Sequence, residues 1–113
     1  MANRTIKVLN SVAAGAIVNT DSPAIPSGKI LRFQKLVISE QNLGSNISSG
    51  ILVQWGTVGA FEELAAGFVT GSTVEIAINE ERTGDGVKFI SITRQNNSAA
   101  AKRIIAWLSV YDE

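Results

Sequence analysis

The sequence predicts an all-β chain, an antiparallel β-sandwich of jelly-roll type with about eight short strands. Three observations carry this reading. Apolar residues recur at every second position in several segments, the period of a half-buried strand. Clusters of Gly, Pro, Asn, Asp and Ser separate these segments and supply turn geometry. No helices alternate with the strands, which argues against a parallel α/β sheet. A length of 113 residues suits one domain spanning 1–113. No repeat with a period of about 20–50 residues is present, so a solenoid or propeller is not expected.

The first predicted strand runs from Arg4 to Val12, with Ile6, Val8 and Val12 in one phase. Asn10 and Ser11 interrupt this stretch, which is too short and too polar for the apolar region of a signal peptide. After Gly15, Ala16-Ile17-Val18 reads as a second, short strand. Asn19 to Gly28 reads as a turn region: Pro23 and Pro26 bias the residues before them toward extended geometry, and Ser27-Gly28 marks a tight turn.

Lys29 to Ser39 is the clearest strand, rich in β-branched and bulky apolar residues. Leu31 and Phe33 share one phase, Leu36 and Ile38 the other. A β-bulge at Gln34-Lys35 would place all four on one face; the alternative is a strand buried on both faces. Residues 39–50 form a polar, Ser-, Asn- and Gly-rich loop, longer than the usual connection. Long loops on rigid sheets often carry recognition, which makes Asn42, Leu43, Ser45, Asn46 and Ile47 a candidate recognition loop.

Ile51 to Trp55 is a short strand ended by Gly56 and Gly59. Phe61 to Ala66 is ambiguous between one helical turn capped by Gly67 and an edge strand. Thr73 to Asn79 alternates cleanly, with Val74, Ile76 and Ile78 facing one way. Glu80 to Gly86 reads as a turn, and Val87 to Gln95 as the partner strand of a hairpin. Asn96-Asn97-Ser98 marks another turn. In the closing segment a helix capped by Ser98 would align Ile104, Leu108 and Tyr111. A strand would align Ile104, Ala106, Leu108 and Val110 on one face and Ile105, Trp107 and Tyr111 on the other. The β-branched and aromatic content favours the strand.

Composition narrows the function. Hydrophobic residues make up 45% and charged residues 18%, a globular balance that argues against disorder. Ten basic and ten acidic residues cancel, so no basic field points to nucleic acid or an anionic membrane. Neutrality also removes the long-range repulsion that keeps copies apart. No apolar run reaches the length of about 18 residues that a membrane helix needs. The chain has no cysteine and no histidine. Disulfides, thiolate metal sites and imidazole general bases are therefore excluded.

The remaining candidates for chemistry are thin. Serine and threonine nucleophiles lack an activating base, and no Gly-x-Ser-x-Gly elbow is present. Glu62-Glu63 and Glu80-Glu81 are carboxylate doublets, but neighbours on a strand point to opposite faces and make no facing pair. Asp85 between Gly84 and Gly86 lacks the spacing of a calcium loop and reads as turn chemistry. Arg82, Arg94, Lys102 and Arg103 lack the interleaved aromatics of a polyanion site. No phosphate-binding or dinucleotide fingerprint occurs. The expectation is a non-enzyme with no cofactor and no metal.

The closing strand is the most informative element, because both of its faces are apolar. One face lines the core; the other, Ile105, Trp107 and Tyr111, needs a cover. That cover is either another part of the same sandwich or a neighbouring subunit.

The passages IPSGKILRFQKLVIS, ILVQWG, GDGVKFISITRQN and RIIAWLSVYDE together resemble small jelly-roll virion proteins of tailed phages, such as head decoration (cement) and fibre-type domains. The resemblance covers residues 25–113 as a pattern of elements and transfers no functional residue. It implies a structural role in the virion as a homo-oligomer, with a trimer favoured, fixed to a major capsid protein or another virion protein. The alternative is a small carbohydrate-binding, lectin-like sandwich, with Trp55, Trp107 and Tyr111 as a platform for sugar stacking.

Overall fold

The computed structural model describes residues 2–8, 11–13, 15–41, 49–69, 73–96 and 102–112. The described segments are all strand, turn or extended chain: β1 (Ala2–Val8), β2 (Ser11–Val12), β3 (Ile17–Asp21), β4 (Ile30–Gln41), β5 (Ser49–Thr57), β6 (Ala60–Val69), β7 (Thr73–Thr83), β8 (Phe89–Asn96) and β9 (Lys102–Asp112). They form two antiparallel sheets. One has the order β1-β9-β4-β7, with β2 also paired to β9, and the other has the order β3-β8-β5-β6.

This order is that of a jelly roll. The pairs β5·β6, β4·β7, β3·β8 and β1·β9 are nested inside one another, as if one long hairpin had been rolled up. Rolling adds the pairs β4·β9 and β5·β8 and divides the strands between two layers. β1 and β2 share one partner, so the nine described strands occupy eight positions in the roll.

The core lies between the layers and follows the alternation of each strand. β4 supplies Leu31, Phe33, Leu36 and Ile38; β9 supplies Ile104, Ala106, Leu108 and Val110. From the opposite sheet come Ile51, Val53 and Trp55 of β5 with Ile90 and Ile92 of β8. Phe33 and Trp55 meet edge to face across the gap, with ring centroids 6.3 Å apart.

The expected phase slip in β4 is present. Pairing of β4 with both β7 and β9 shifts between Phe33 and Lys35, leaving Gln34 out of register. Against β9 the extra residue lies on β4; against β4 the extra residue lies on β7, beside Asn79 with a φ of 53°. All four large apolar side chains of β4 therefore reach the core. The other contested segments resolve as strands: 61–66 lies within edge strand β6, and the closing segment is β9.

Several sequence expectations need correction, among them the loop 39–50, whose residues 39–41 belong to β4 and 49–50 to β5, and the turn at Asn96, which is the last residue of β8. Residues 19–21 belong to β3, not to a turn. Glu80 to Thr83 continue β7, so the turn is confined to the residues between β7 and β8. Nor do β7 and β8 make a hairpin: β7 pairs with β4 in one sheet, and β8 with β3 and β5 in the other. The turn residues were read correctly, but they serve a corner between layers. The chain changes sheet at each connection between strand positions of the roll except β5 to β6.

That corner is laced by backbone bonds. The Ile25 and Gly86 N–H groups donate to the Lys88 and Ile25 carbonyls, both at 2.9 Å. Gly28 N–H donates to the Gly84 carbonyl at 3.0 Å and Gly84 N–H to the Lys29 carbonyl at 2.8 Å. Polar side chains join the layers further inside. Buried Arg94 on β8 donates through Nη1 to the Ile104 carbonyl of β9 at 3.0 Å, and its burial lowers the guanidinium pKa. Buried Asn96 donates through Nδ2 to the Val12 carbonyl of β2 at 2.9 Å.

Candidate functional site

The inward phase of β9 is used up by the core, so Ile105, Trp107, Ser109 and Tyr111 lie on the outer face of the β1-β9-β4-β7 sheet. Register fixes their neighbours. Ile105 stands beside Ser39, Trp107 beside Val37, Ser109 beside Lys35 and Tyr111 beside Arg32. Beyond β4 the rows continue to Thr73, Glu75, Ala77 and Glu81 on β7.

The result is a mixed sheet face: Trp107 and Val37 stand side by side, and the row of Ser109 and Lys35 separates them from Tyr111 and Arg32. Trp107, Val37 and Tyr111 are half-buried. Lys35 and Glu75 form an ion pair at 3.3 Å, and Arg32 and Glu81 one at 3.2 Å. These exposed pairs link β4 to β7 and add little stability. Thr73 Oγ1 donates to Ser39 Oγ at 3.2 Å beside them.

The three residues singled out from sequence share this face but differ in availability. Ile105 is only 3% exposed, although it lies outside the core cluster. The chain already covers it, so Trp107 and Tyr111 carry the remaining surface. Val37 joins them and was missed. Its signal was present: the bulge that turns Leu36 and Ile38 inward turns Val37 outward. Trp55 does not join them. It is 2% exposed and packed on Phe33 in the core, which removes it from the suggested sugar platform. Asn42, Leu43, Ser45, Asn46 and Ile47 lie outside the described residues.

Two hollows open on the surface of the described residues, one on each sheet. One, of about 380 Å³, opens at the bulge and is lined by residues of β4 and β7 together with Tyr111. The other, of about 250 Å³, lies on the opposite sheet among Ile17, Gly50, Leu52, Ala66, Thr93 and Gln95. Gly50 contributes no side chain there, which leaves a depression between Gln95 and Leu52.

The carboxylate doublets are also placed. Glu62 and Glu80 flank Arg82 and bond to it, while Glu81 pairs with Arg32. Glu62 and Glu80 act as ion-pair partners at the edge where β6 approaches β7, and Glu81 does so between β7 and β4. Among the described residues, no three acidic side chains gather closely enough to hold a metal ion. Asp85 is the acceptor of its own turn, its Oδ1 receiving the Val87 and Lys88 N–H groups at 2.9 and 2.8 Å.

No family model matches this chain, and no curated protein does. Several solved structures are similar, two of them as follows. The crystal structure of PirA aligns over 95% of this chain and 93% of its own, with a TM-score of 0.52 and 16% identity. Aeromonas hydrophila PliG, a periplasmic lysozyme inhibitor of g-type lysozyme, aligns over 95% and 86% with a TM-score of 0.48 and 13% identity. At such identity the likeness to PirA concerns fold alone. It agrees with the strand order: the chain is an all-β sandwich with jelly-roll connectivity.

Proposed function

We propose that this protein is a non-enzymatic assembly protein. It associates with copies of itself and fastens to a larger lattice, in the manner of a tailed-phage capsid decoration protein. The observation that carries the reading is the placement of Trp107, Val37 and Tyr111 on the outer face of a four-strand path, beside the ion-paired Lys35 and Arg32. Half-buried aromatic residues on an outer face, set among charged groups, are enriched at association surfaces. A neutral net charge opposes such contact least. Cyclic symmetry would repeat this face around an axis, and the virion resemblance selects a trimer.

Sedimentation analysis across micromolar concentrations tests this. The wild type is expected to sediment as an oligomer, with a trimer as the limiting species. Trp107→Glu is expected to dissociate while keeping its strand signal in circular dichroism, because Trp107 is only half-buried within one chain. A wild type that stays monomeric throughout would sink autonomous assembly.

A further inference from the structure

We infer that the hollow at the bulge is a binding site for a neutral, hydroxyl-rich ligand, a saccharide unit. It does not rest on the assembly reading. Three features meet there. The sheet loses register at Gln34 against both neighbours. Asn79, the one non-glycine residue with positive φ among those described, sits directly across from this break. And the break opens onto a hollow of about 380 Å³, within the usual range of small-ligand sites. Bulges and left-handed residues concentrate where a side chain must be re-aimed.

The lining defines the ligand. Half-buried Tyr111 offers apolar ring surface, while Phe33 contributes to the wall with its ring turned into the core. The Gln34 and Asn79 amides each offer both donors and an acceptor. Arg32, Glu80 and Glu81 complete the wall, and each is already held in an ion pair: Arg32 with Glu81 at 3.2 Å, Glu80 with Arg82 at 2.6 Å. An ionic ligand would have to displace one of these partners. A sugar hydroxyl would not, because a paired carboxylate keeps lone pairs that can accept its proton. Hydroxyls that both donate and accept match amides that do the same, and the C–H face of a sugar ring matches an aromatic surface. A platform of tryptophans is not needed.

The test is retention of the full chain on immobilised neutral oligosaccharides built from glucose, galactose, mannose and N-acetylglucosamine. Amide chemical-shift titration with any sugar that retains it follows. The expected result is retention on at least one, with shifts at Gln34, Asn79 and Tyr111. Gln34→Ala and Asn79→Gly should each weaken binding about tenfold, the loss of one well-placed hydrogen bond. Asn79→Gly keeps the fold in any case, since glycine adopts a φ of 53° without strain. No retention on any neutral sugar would overturn the inference. So would retention confined to sulfated or sialylated glycans, binding unchanged in both variants, shifts confined to the opposite sheet, or a peptide that shifts these residues where no sugar does.

Discussion

Arg82 on β7 donates through Nε to Glu62 Oε1 on β6 at 2.7 Å, and so joins two strands that belong to different sheets. The same guanidinium reaches Glu80 at 2.6 Å through Nη2 and the Glu81 carbonyl at 2.8 Å through Nη1. The bond to Glu62, with Glu80 in support and against the opposing effect of burial, raises an already strongly basic group. Elsewhere among the described residues the layers adhere through apolar contact, the backbone bonds of the corner, and the buried side chains of Arg94 and Asn96. At this edge they are fastened by a charged fork.

Removing the fork should loosen the edge without unfolding the roll. Arg82→Ala is expected to cost about 0.5–1 kcal/mol in urea denaturation, since Glu62 and Glu80 are partly solvated. Arg82→Lys should recover only part of this, because an ammonium cannot serve three acceptors in a fixed plane. Molar salt should shrink the difference between wild type and Arg82→Ala. An Arg82→Ala midpoint equal to that of the wild type would show that the fork contributes nothing.

The Asp85 turn gives a pH dependence. Backbone N–H groups of Lys88 and Val87 hold its carboxyl below the ordinary carboxylate value. The folded state thus binds the proton less tightly than the unfolded chain. The stabilisation is fully present above the unfolded value of about 4 and disappears as pH falls through the folded one. Melting temperatures of wild type and Asp85→Asn, measured from neutral pH down to about 2, should therefore converge on the acid side. A gap that is independent of pH would assign the effect to turn geometry alone.

Gly84 is predicted to resist substitution for want of space. A methyl group there would run into the Pro26 carbonyl oxygen and approach the Ile25 side chain to 2.6 Å. Most of what it meets is backbone of the facing segment, which cannot swing aside. Gly84→Ala should lower stability by about 1–3 kcal/mol, the usual range for overpacking. Gly28→Ala provides the comparison: it meets nothing within 4 Å, so its cost arises from its φ of 84° alone.

Asn96 should behave as a buried hydrogen-bond donor. Asn96→Ala leaves the Val12 carbonyl without this partner and is expected to cost about 1–3 kcal/mol by chemical denaturation. The loss should be accompanied by faster amide exchange in β2, whose attachment to β8 runs through this side chain.

How much of this was legible from sequence depends on the range of the interaction. Alternation is local, so β4, β5, β7 and β9 could be read from their own residues. The bulge was readable too, because the apolar phase of β4 changes at Gln34. Pairing is not local. Thr73 to Asn79 and Val87 to Gln95 carry the period and turn residues of a hairpin, yet belong to different sheets. A Gly-Asp-Gly turn serves a hairpin and a corner equally well. Nor does alternation say which tryptophan faces inward: Trp55 and Trp107 both sit in regular strands, and only the layer opposite decides. Asn79 gave no signal, since its left-handed backbone follows from register with β4.

The nested pairing sets a limit on how this chain acquires its structure. Only β5 and β6 meet across a short turn, at Val58 and Gly59, while Ala2 must find Asp112. Every further pair encloses the one before it, so each closure spends more chain entropy than the last unless the inner pairs have already shortened the path. Renaturation should therefore proceed outward from the β5–β6 turn, with the β1–β9 seam completed last, on the slow timescale of milliseconds to seconds typical of non-local β topologies. Until that seam closes, the backbone edge of β9 that β1 later covers stays unpaired beside Trp107, and the period of greatest exposure to aggregation falls at the end of folding.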